Sequence, residues 1–247
     1  MTDEELAARL ADGAGRLLLE LRRQPWLEKA VLGTIADKVA NAFILTALRE
    51  WRPNDAILSE ESPDDARRLG CERVWIIDPL DGTREYSEGR SDWAVHVALA
   101  IHGAPALGAV AVPGLDRLFR SDEAKRPDRV GGEGKPRMLV SRTRPPEEAA
   151  QLAALLGAEL VGMGSAGAKA MAVVAGEAEI YYHSGGQHEW DNCAPAAVAL
   201  AAGLHASRVD GAPLEYNRRD TLMPDLVIAR PELAETVVAQ CRHLQGN

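Results

Sequence analysis

The stretch Val74–Thr83, Val-Trp-Ile-Ile-Asp-Pro-Leu-Asp-Gly-Thr, places two carboxylates three residues apart directly after an apolar run. The pattern predicts a buried strand over Val74–Ile77 that stops at Asp78-Pro79, because proline cannot donate to a sheet ladder. Asp81-Gly82 turns the chain again, so Asp78 and Asp81 stand at the mouth of a sheet, close enough to share a cation. Asp-Pro and Asp-Gly are also ordinary turn dipeptides, and the pair alone leaves a plain strand-to-turn junction open. Further acids lie at Glu60-Glu61 and at Asp191, far away along the chain. Taken singly, the glutamates read equally as a solvated loop and Asp191 as a helix N-cap. Together, Glu60, Asp78, Asp81 and Asp191, with the Leu80 carbonyl and water, make an all-oxygen set suited to a hard cation such as Mg²⁺. No His or Cys stands at zinc spacing. Clustered carboxylates repel one another, so such a cluster implies more than one metal ion.

Other residues suit a phosphate ester. Gly82 and Thr83 follow the acidic turn and offer backbone N–H groups to phosphate oxygens. Ser165-Ala-Gly-Ala-Lys169 opens a helix after Gly162-Met-Gly164, with Ser165 as its cap and Lys169 one turn on, nearly on the same face. Lys169 is one of five lysines in a chain that otherwise prefers arginine. A lysine there also reads as a solvent-facing charge.

These groups need elements to carry them. Thr2-x-x-Glu5 is a capping-box pattern, and Leu6, Leu10, Leu17, Leu18 and Leu21 follow at mostly helical spacing up to Pro25. A second helix is expected from about Asp37, its cap, with Val39, Phe43, Ile44, Ala47, Leu48 and Trp51 on one face, ending before Pro53. Ile57-Leu58 delivers Glu60 to its loop. Trp93, Val95, Val97, Leu99 and Ile101 alternate with small or polar residues, a strand with His96 on the other face as a packed or hydrogen-bonded residue. Turns at Gly103-Ala-Pro105 and Pro113-Gly114 flank a strand over Ala106–Val112, which means antiparallel sheet.

Ser121–Pro136 is charged and glycine-rich and reads as a domain boundary or lid. Beyond it, strands near Met138–Val140, Leu160, Ala178–Tyr182, Leu204–Val209 and Leu226–Ala229 alternate with helices. The helices are expected near Glu147–Leu156, Ala166–Ala175 and Asp191–Ala202, and from Pro231. The expected organisation is an α+β unit over 1–135 carrying most of the candidate ligands and an α/β unit over 136–247 completing the site. The composition is that of a water-soluble protein, with no apolar run of bilayer-spanning length read from it and an acidic amino terminus unlike a signal peptide. Three cysteines without a C-x-x-C pair fit a reducing cytoplasm. The net charge of −9 argues against a nucleic-acid binder but not against a small anion held through cations.

The set Thr-Ile-Ala-Asp37, Ser-Glu60-Glu61-Ser, Trp-Ile-Ile-Asp78-Pro-Leu-Asp81-Gly-Thr83, Gly-Ser165-Ala-Gly-Ala-Lys169 and Trp-Asp191 resembles the inositol monophosphatase superfamily, in order and over most of the chain. Arg84-Glu85-Tyr86, Lys169 and Glu189 are more similar to its bacterial 3'(2'),5'-bisphosphate nucleotidase branch, the CysQ type. Asn192-Cys-Ala-Pro195, read as lying in a first helical turn, and Ser87–Asp92 depart from the pattern.

The resemblance implies an αβαβα sandwich. It also implies two or three Mg²⁺ on Glu60, Asp78, the Leu80 carbonyl, Asp81 and Asp191, with Thr83 and Asp37 activating water. The activity implied is hydrolysis of 3'-phosphoadenosine 5'-phosphate to AMP, or of its sulfated form, with sensitivity to Li⁺. Gly82, Thr83, Ser165, Lys169, Glu189 and Asp191 would contact substrate. Inositol phosphate and fructose bisphosphate are alternative substrates, and a non-catalytic metal or nucleotide sensor is the alternative of another class. The partner expected is a small phosphorylated nucleotide, with no nucleic acid or membrane involved; a homodimer is one oligomeric state left open.

Overall fold

The computed structural model describes residues 1–126, 128 and 134–245. The glycines of the proposed 121–136 lid at 131 and 132 lie outside the described residues. The chain builds five layers. Helices α1 (Asp3–Arg22) and α2 (Lys29–Trp51) cover one face of a first sheet. That sheet contains β1 (Ala56–Ser59), β2 (Arg73–Asp81), β3 (Ala94–Ile101), β4 (Ala104–Val112) and β5 (Arg117–Arg120), in that spatial order. The short helix α3 (Thr83–Ser87) follows β2. Helices α5 (Ala166–Val174) and α6 (Glu189–Ala201) fill the middle layer. The second sheet orders β7 (Glu159–Met163), β6 (Arg137–Ser141), β8 (Ile180–His188), β10 (Leu222–Ala229) and β9 (His205–Ser207). Helices α4 (Ala149–Leu155) and α7 (Pro231–Gln245) cover its far side. This is the αβαβα sandwich expected from the sequence.

The capping box at Thr2 and Glu5 is present, and α1 buries Leu6, Leu10 and Leu18 while Leu17 stays exposed. The second helix differs from its expected form. It begins eight residues earlier, after Glu28, so Asp37 sits in its interior and caps nothing. Its buried face follows Leu32, Ala36, Ala40, Ile44 and Leu48 in four-residue steps that start before Asp37, with Asp37 beside them. Val39, Phe43 and Trp51, expected on one face with Ile44 and Leu48, are exposed while those two are buried. Read whole, this helix is long and apolar enough to cross a membrane, which splitting it at Asp37 concealed. Here its buried face packs against the first sheet.

β2 continues through Pro79. Its pairing with β3 runs Asp78 to His96 and then Asp81 to Ala94, so β2 spends one extra residue between them. That bulge tolerates proline and turns both aspartates out at the sheet's end. β1 pairs parallel to β2, and β2 through β5 pair antiparallel as expected. The turn at Pro113-Gly114 leads into β5, an edge strand the sequence pattern did not announce. In the second half, β8 and β10 are longer than expected, and α6 starts at Glu189. Asp191 is therefore not the N-cap but lies in the first turn, its Oδ2 accepting the His188 N–H at 2.5 Å. Pro195 lies inside the helix rather than in its first turn, which leaves the Asp191 carbonyl without its helical donor.

Close approach between layers rests on small residues. A Cβ on Gly108 of β4 would stand 2.6 Å from the carbonyl oxygen and 2.9 Å from the Cα of Ala194 on α6. Gly108→Ala is expected to push α6 off the sheet at a cost of about 1–3 kcal/mol, lowering the melting temperature by roughly 2–12 °C in a chain of this size. Calorimetry of the two proteins checks this, with an unchanged midpoint the contrary result.

Candidate active site

Asp78, Asp81 and Asp191 each offer an oxygen lying within 4.8 Å of the others. Two come from the bulged end of β2 and one from the first turn of α6, so both halves of the chain contribute. Asp78 is 1 % exposed, its Oδ1 accepting the Leu80 N–H at 3.0 Å. Asp81 is also buried, its Oδ2 accepting the Gly167 N–H at 2.6 Å and a very short hydrogen bond from the Ser165 hydroxyl. Ser165 in turn accepts from Ala168 N, as a cap of α5 should.

Glu60 stands at the solvent-facing rim just after β1. Its backbone N–H donates to Ile77 O, while Asn41 of α2 accepts from Ser59 Oγ and donates to the Glu61 carbonyl and Ser62 Oγ. Thr83 Oγ1 lies 3.2 Å from Asp37 Oδ2 and 3.2 Å from Leu80 O. The interior position of Asp37 in α2, one turn beyond Gly33, produces that contact. A Cβ on Gly33 would meet the Thr83 side chain at 2.5 Å. Gly82 precedes α3 with φ of 88°, a left-handed conformation natural to glycine.

The crowding is visible in the proton affinities. Burial, then Glu60 and Glu61, push Asp37 up to about 8. Partial burial, then Asp191 and Asp81, push Glu60 up to about 7. Burial and Asp81 push Asp191 up to about 6, and burial with Glu60 raises Asp78 well above the carboxylate range. Burial also acts upward on Asp81, but His96, Ser165 and Gly167 outweigh it and hold the group at about 2.

A cavity of about 480 Å³ opens above these groups. Glu60, Asp81, Gly82, Thr83, Ser165 and Lys169 line it, as does Asp191. Lys169 is 4 % exposed and donates to the Gly164 carbonyl at 3.2 Å and, through a very short bond, to the Ser165 carbonyl. Burial lowers it to about 8 although Asp81 and Glu85 act the other way. Glu189 stands apart from the cavity. It is fully buried, and its two oxygens accept the N–H groups of Asn217 and Arg218 at 2.7 Å each. Sequence reasoning passed over Arg144, His183 and His188, which also line the cavity, as does Arg84. Their signal was weak: one loop arginine and two histidines within and at the end of β8. Arg144 is exposed, and His183 has a buried Nε2 without a hydrogen-bond partner among the described residues.

The chain matches the inositol monophosphatase family model over residues 5–245. It belongs to that family. It is 49% identical over 257 aligned residues to the 3'-phosphoadenosine 5'-phosphate phosphatase of Mycobacterium leprae, covering 99% of this chain and 95% of the relative. It is 32% identical to the 3'(2'),5'-bisphosphate nucleotidase CysQ of Escherichia coli, covering 77% of this chain and 81% of that protein. The crystal structure of CysQ from Bacteroides thetaiotaomicron superposes with a TM-score of 0.81 at 25% identity, covering 92% of this chain and 97% of the other. The family is metal-dependent, and this member's residues fit a metal. The donors are all oxygen, burial and then neighbouring carboxylates raise the proton affinities of Asp78 and Asp191, and Asp37 Oδ1 is buried without a hydrogen-bond partner among the described residues.

The folded protein holds protons on Asp37, Glu60 and Asp191 more tightly than the unfolded chain, whose carboxyls titrate near about 4. Their contribution to stability is complete below about pH 4 and is lost as the pH rises through about 6, 7 and 8. Asp81 acts oppositely, its contribution lost as the pH falls towards about 2. The metal-free protein should therefore lose melting temperature between about pH 5 and 8, and Mg²⁺ or Mn²⁺ should restore it, more at pH 8 than at pH 6. Asp191→Asn should raise the metal-free midpoint at pH 8, and Asp81→Asn should lower it. Thermal melts across that range with and without the cation measure both effects; equal shifts for the two variants would contradict the electrostatic account.

Proposed function

We propose that the chain is a Mg²⁺-dependent phosphatase that removes the 3'-phosphate of 3'-phosphoadenosine 5'-phosphate, giving AMP and inorganic phosphate. The observation carrying the chemistry is the meeting of Asp78, Asp81 and Asp191 beside the Thr83–Asp37 pair. The names of relatives 49% and 32% identical support the choice of substrate. A cytoplasmic location is part of the same reading, supported by three cysteines that are all free thiols.

Glu60, Asp78, the Leu80 carbonyl, Asp81 and Asp191 would hold the cations. Bound there, Mg²⁺ would make water more acidic and would offset charge on the leaving oxygen. Thr83 orients the attacking water, its hydroxyl passing a proton to Asp37 as it receives one from the water. Asp37 serves as that base once cations relieve the negative field that raises its proton affinity. Attack on phosphorus is in line, the bond from phosphorus to the ribose 3' oxygen breaks, and that oxygen takes a proton from solvent while Asp37 returns its proton to solvent. The Gly82 and Thr83 N–H groups hold equatorial phosphate oxygens. The hydroxyl of Ser165 is committed to Asp81, and two donors of Lys169 are committed to carbonyls. Ser165 therefore shapes the site through Asp81, and Lys169 offers its third N–H to the second phosphate. Arg144 adds an exposed guanidinium for the same phosphate. Glu189 anchors the start of α6 from beneath rather than touching the sugar.

The deciding assay is phosphate release from the bisphosphate nucleotide, inositol 1-phosphate and fructose 1,6-bisphosphate, with Mg²⁺ and with added Li⁺. The expected result is preference for the nucleotide, inhibition by Li⁺, and at least about a thousandfold loss of kcat in Asp81→Asn and Asp191→Asn. Near-normal turnover in either variant rejects the shared-cation site, and preference for a sugar phosphate rejects the substrate. Arg144→Ala should raise KM for the bisphosphate about tenfold, the value of one charge-assisted hydrogen bond, and leave KM for adenosine 3'-phosphate unchanged. An equal rise for both substrates would remove Arg144 from the second-phosphate role.

A further inference from the structure

His96 is buried, polar and unused by the reaction. On β3 it alternates with Ala94, Ala98 and Ala100, and this face meets the α5–α6 layer. A fully buried imidazole among alanines is not core filling, because burying its two nitrogens costs free energy unless each finds a partner. Nδ1 lies 3.0 Å from the Trp190 carbonyl, which can only accept, so Nδ1 carries the hydrogen. Nε2 lies 3.3 Å from Asp81 Oδ2, within ion-pair distance but without a well-aligned hydrogen bond. One ring thus spans from a carboxylate on the β2 bulge to the residue preceding Asp191.

The surroundings keep room for that ring. A Cβ on Gly167 would fall 2.0 Å from His96 Nε2, and Ala94 is the next neighbour at 3.0 Å. Gly167 also donates its N–H to the same Asp81 oxygen that faces His96. Oδ2 of Asp81 therefore has the Ser165 hydroxyl, the Gly167 amide and the His96 ring about it, while its other oxygen is left for a cation.

We propose that His96 is a positioning residue for the metal site, fixing Asp81 and Asp191 relative to each other so that both reach common divalent ions. The inference rests on the reading above that these carboxylates hold metal. His96 touches neither the ion nor the substrate; it acts through Asp81 and through the Trp190 carbonyl. Groups that hold a metal ligand from behind commonly change metal affinity or activity 10- to 100-fold when removed.

Mn²⁺ binding to the metal-free protein, measured by the electron paramagnetic resonance of free Mn²⁺, tests this directly. The wild type and Asp81→Asn come first. Binding that Asp81→Asn does not weaken would defeat the metal reading itself. With that reading standing, His96→Leu should weaken Mn²⁺ binding at least about tenfold, and His96→Gln should recover most of it. The Gln amide can still donate to Asp81 or the Trp190 carbonyl. The Mg²⁺ concentration for half-maximal activity should rise in parallel while KM for the nucleotide at saturating Mg²⁺ changes little. A purely structural role would lower the melting temperature and leave Mn²⁺ affinity alone. His96→Leu that folds and binds Mn²⁺ within twofold of wild type overturns the proposal, as does equal loss in the Leu and Gln variants. Should His96→Leu fail to fold, His96→Asn replaces it. Its amide is one methylene short of Gln, so Asn should lose about tenfold where Gln does not, and equal affinity of the two is the overturning result.

Discussion

Repulsion among carboxylates withheld from water is the constraint to which the rest of the molecule answers. Burial alone would drive each acid to its neutral form, and an uncompensated cluster would spread apart. The fold answers by giving one oxygen of each aspartate a hydrogen-bond donor, and at Asp81 the donors outweigh burial. Leu80 N–H holds Asp78, Gly167 N–H and the Ser165 hydroxyl hold Asp81, and His188 N–H holds Asp191. Hydrogen bonds to charged acceptors are the strong ones. They fix the carboxylates in place while leaving second oxygens for an ion. The site is thus assembled under electrostatic strain that a bound metal ion would relieve, which would tie metal binding to stability.

Two helix starts do most of this work. The first residues of α5 present Ser165 and Gly167 to Asp81, and the first turn of α6 presents Asp191 itself. Both starts are braced from elsewhere. Asp92 accepts the Gly164 N–H at 2.8 Å and forms an ion pair with Arg90. Glu189 collects the N–H groups of Asn217 and Arg218, while the Asn217 side chain bonds to Arg68, a buried arginine paired with Asp64. Arg142 of the second half reaches Glu85 and Glu88 beside α3. A polar frame of this kind sets where the helices begin, and so where the candidate ligands point.

The acids were legible because strand-end turn chemistry is local: Asp78-Pro and Asp81-Gly announce themselves within a few residues. The Thr2 cap and the β3–β4 hairpin were legible for the same reason. Asp37 was misread because a carboxylate before an apolar run imitates a cap, and the helical turns before it contain the same weak periodicity as those after it. Asp191 was misread one turn out of place, since His188 gives no cap signal in sequence. Glu189 looked like a substrate contact by type, but long-range packing turned it onto the 217–218 backbone, whereas Lys169 spends two donors on its own helix start and still lines the cavity. His96 could be read as packed or hydrogen-bonded from its face of β3, but its partners come from α6 and the β2 bulge, which no local pattern reveals.

The middle layer explains how elements from both sheets reach one point. This chain is 46% hydrophobic yet only 4% aromatic, and where β3 and β4 meet α5 and α6 the tightest approaches are Gly108 against Ala194 and Ala197 and Gly167 against Ala94 and His96. Small side chains bring backbones close and leave few alternative rotamers, so interlayer distance is set by hard contact rather than by adjustable packing. Gly108 against the Ala194 backbone fixes the height of α6 over the first sheet. Gly167 against His96 fixes α5 over the same sheet. A carboxylate site tolerates little drift, because attraction to a shared ion falls with distance while repulsion between unshielded neighbours remains. A core of larger, more deformable side chains could bury as much apolar surface, but it would hold Asp81 and Asp191 less exactly against one another.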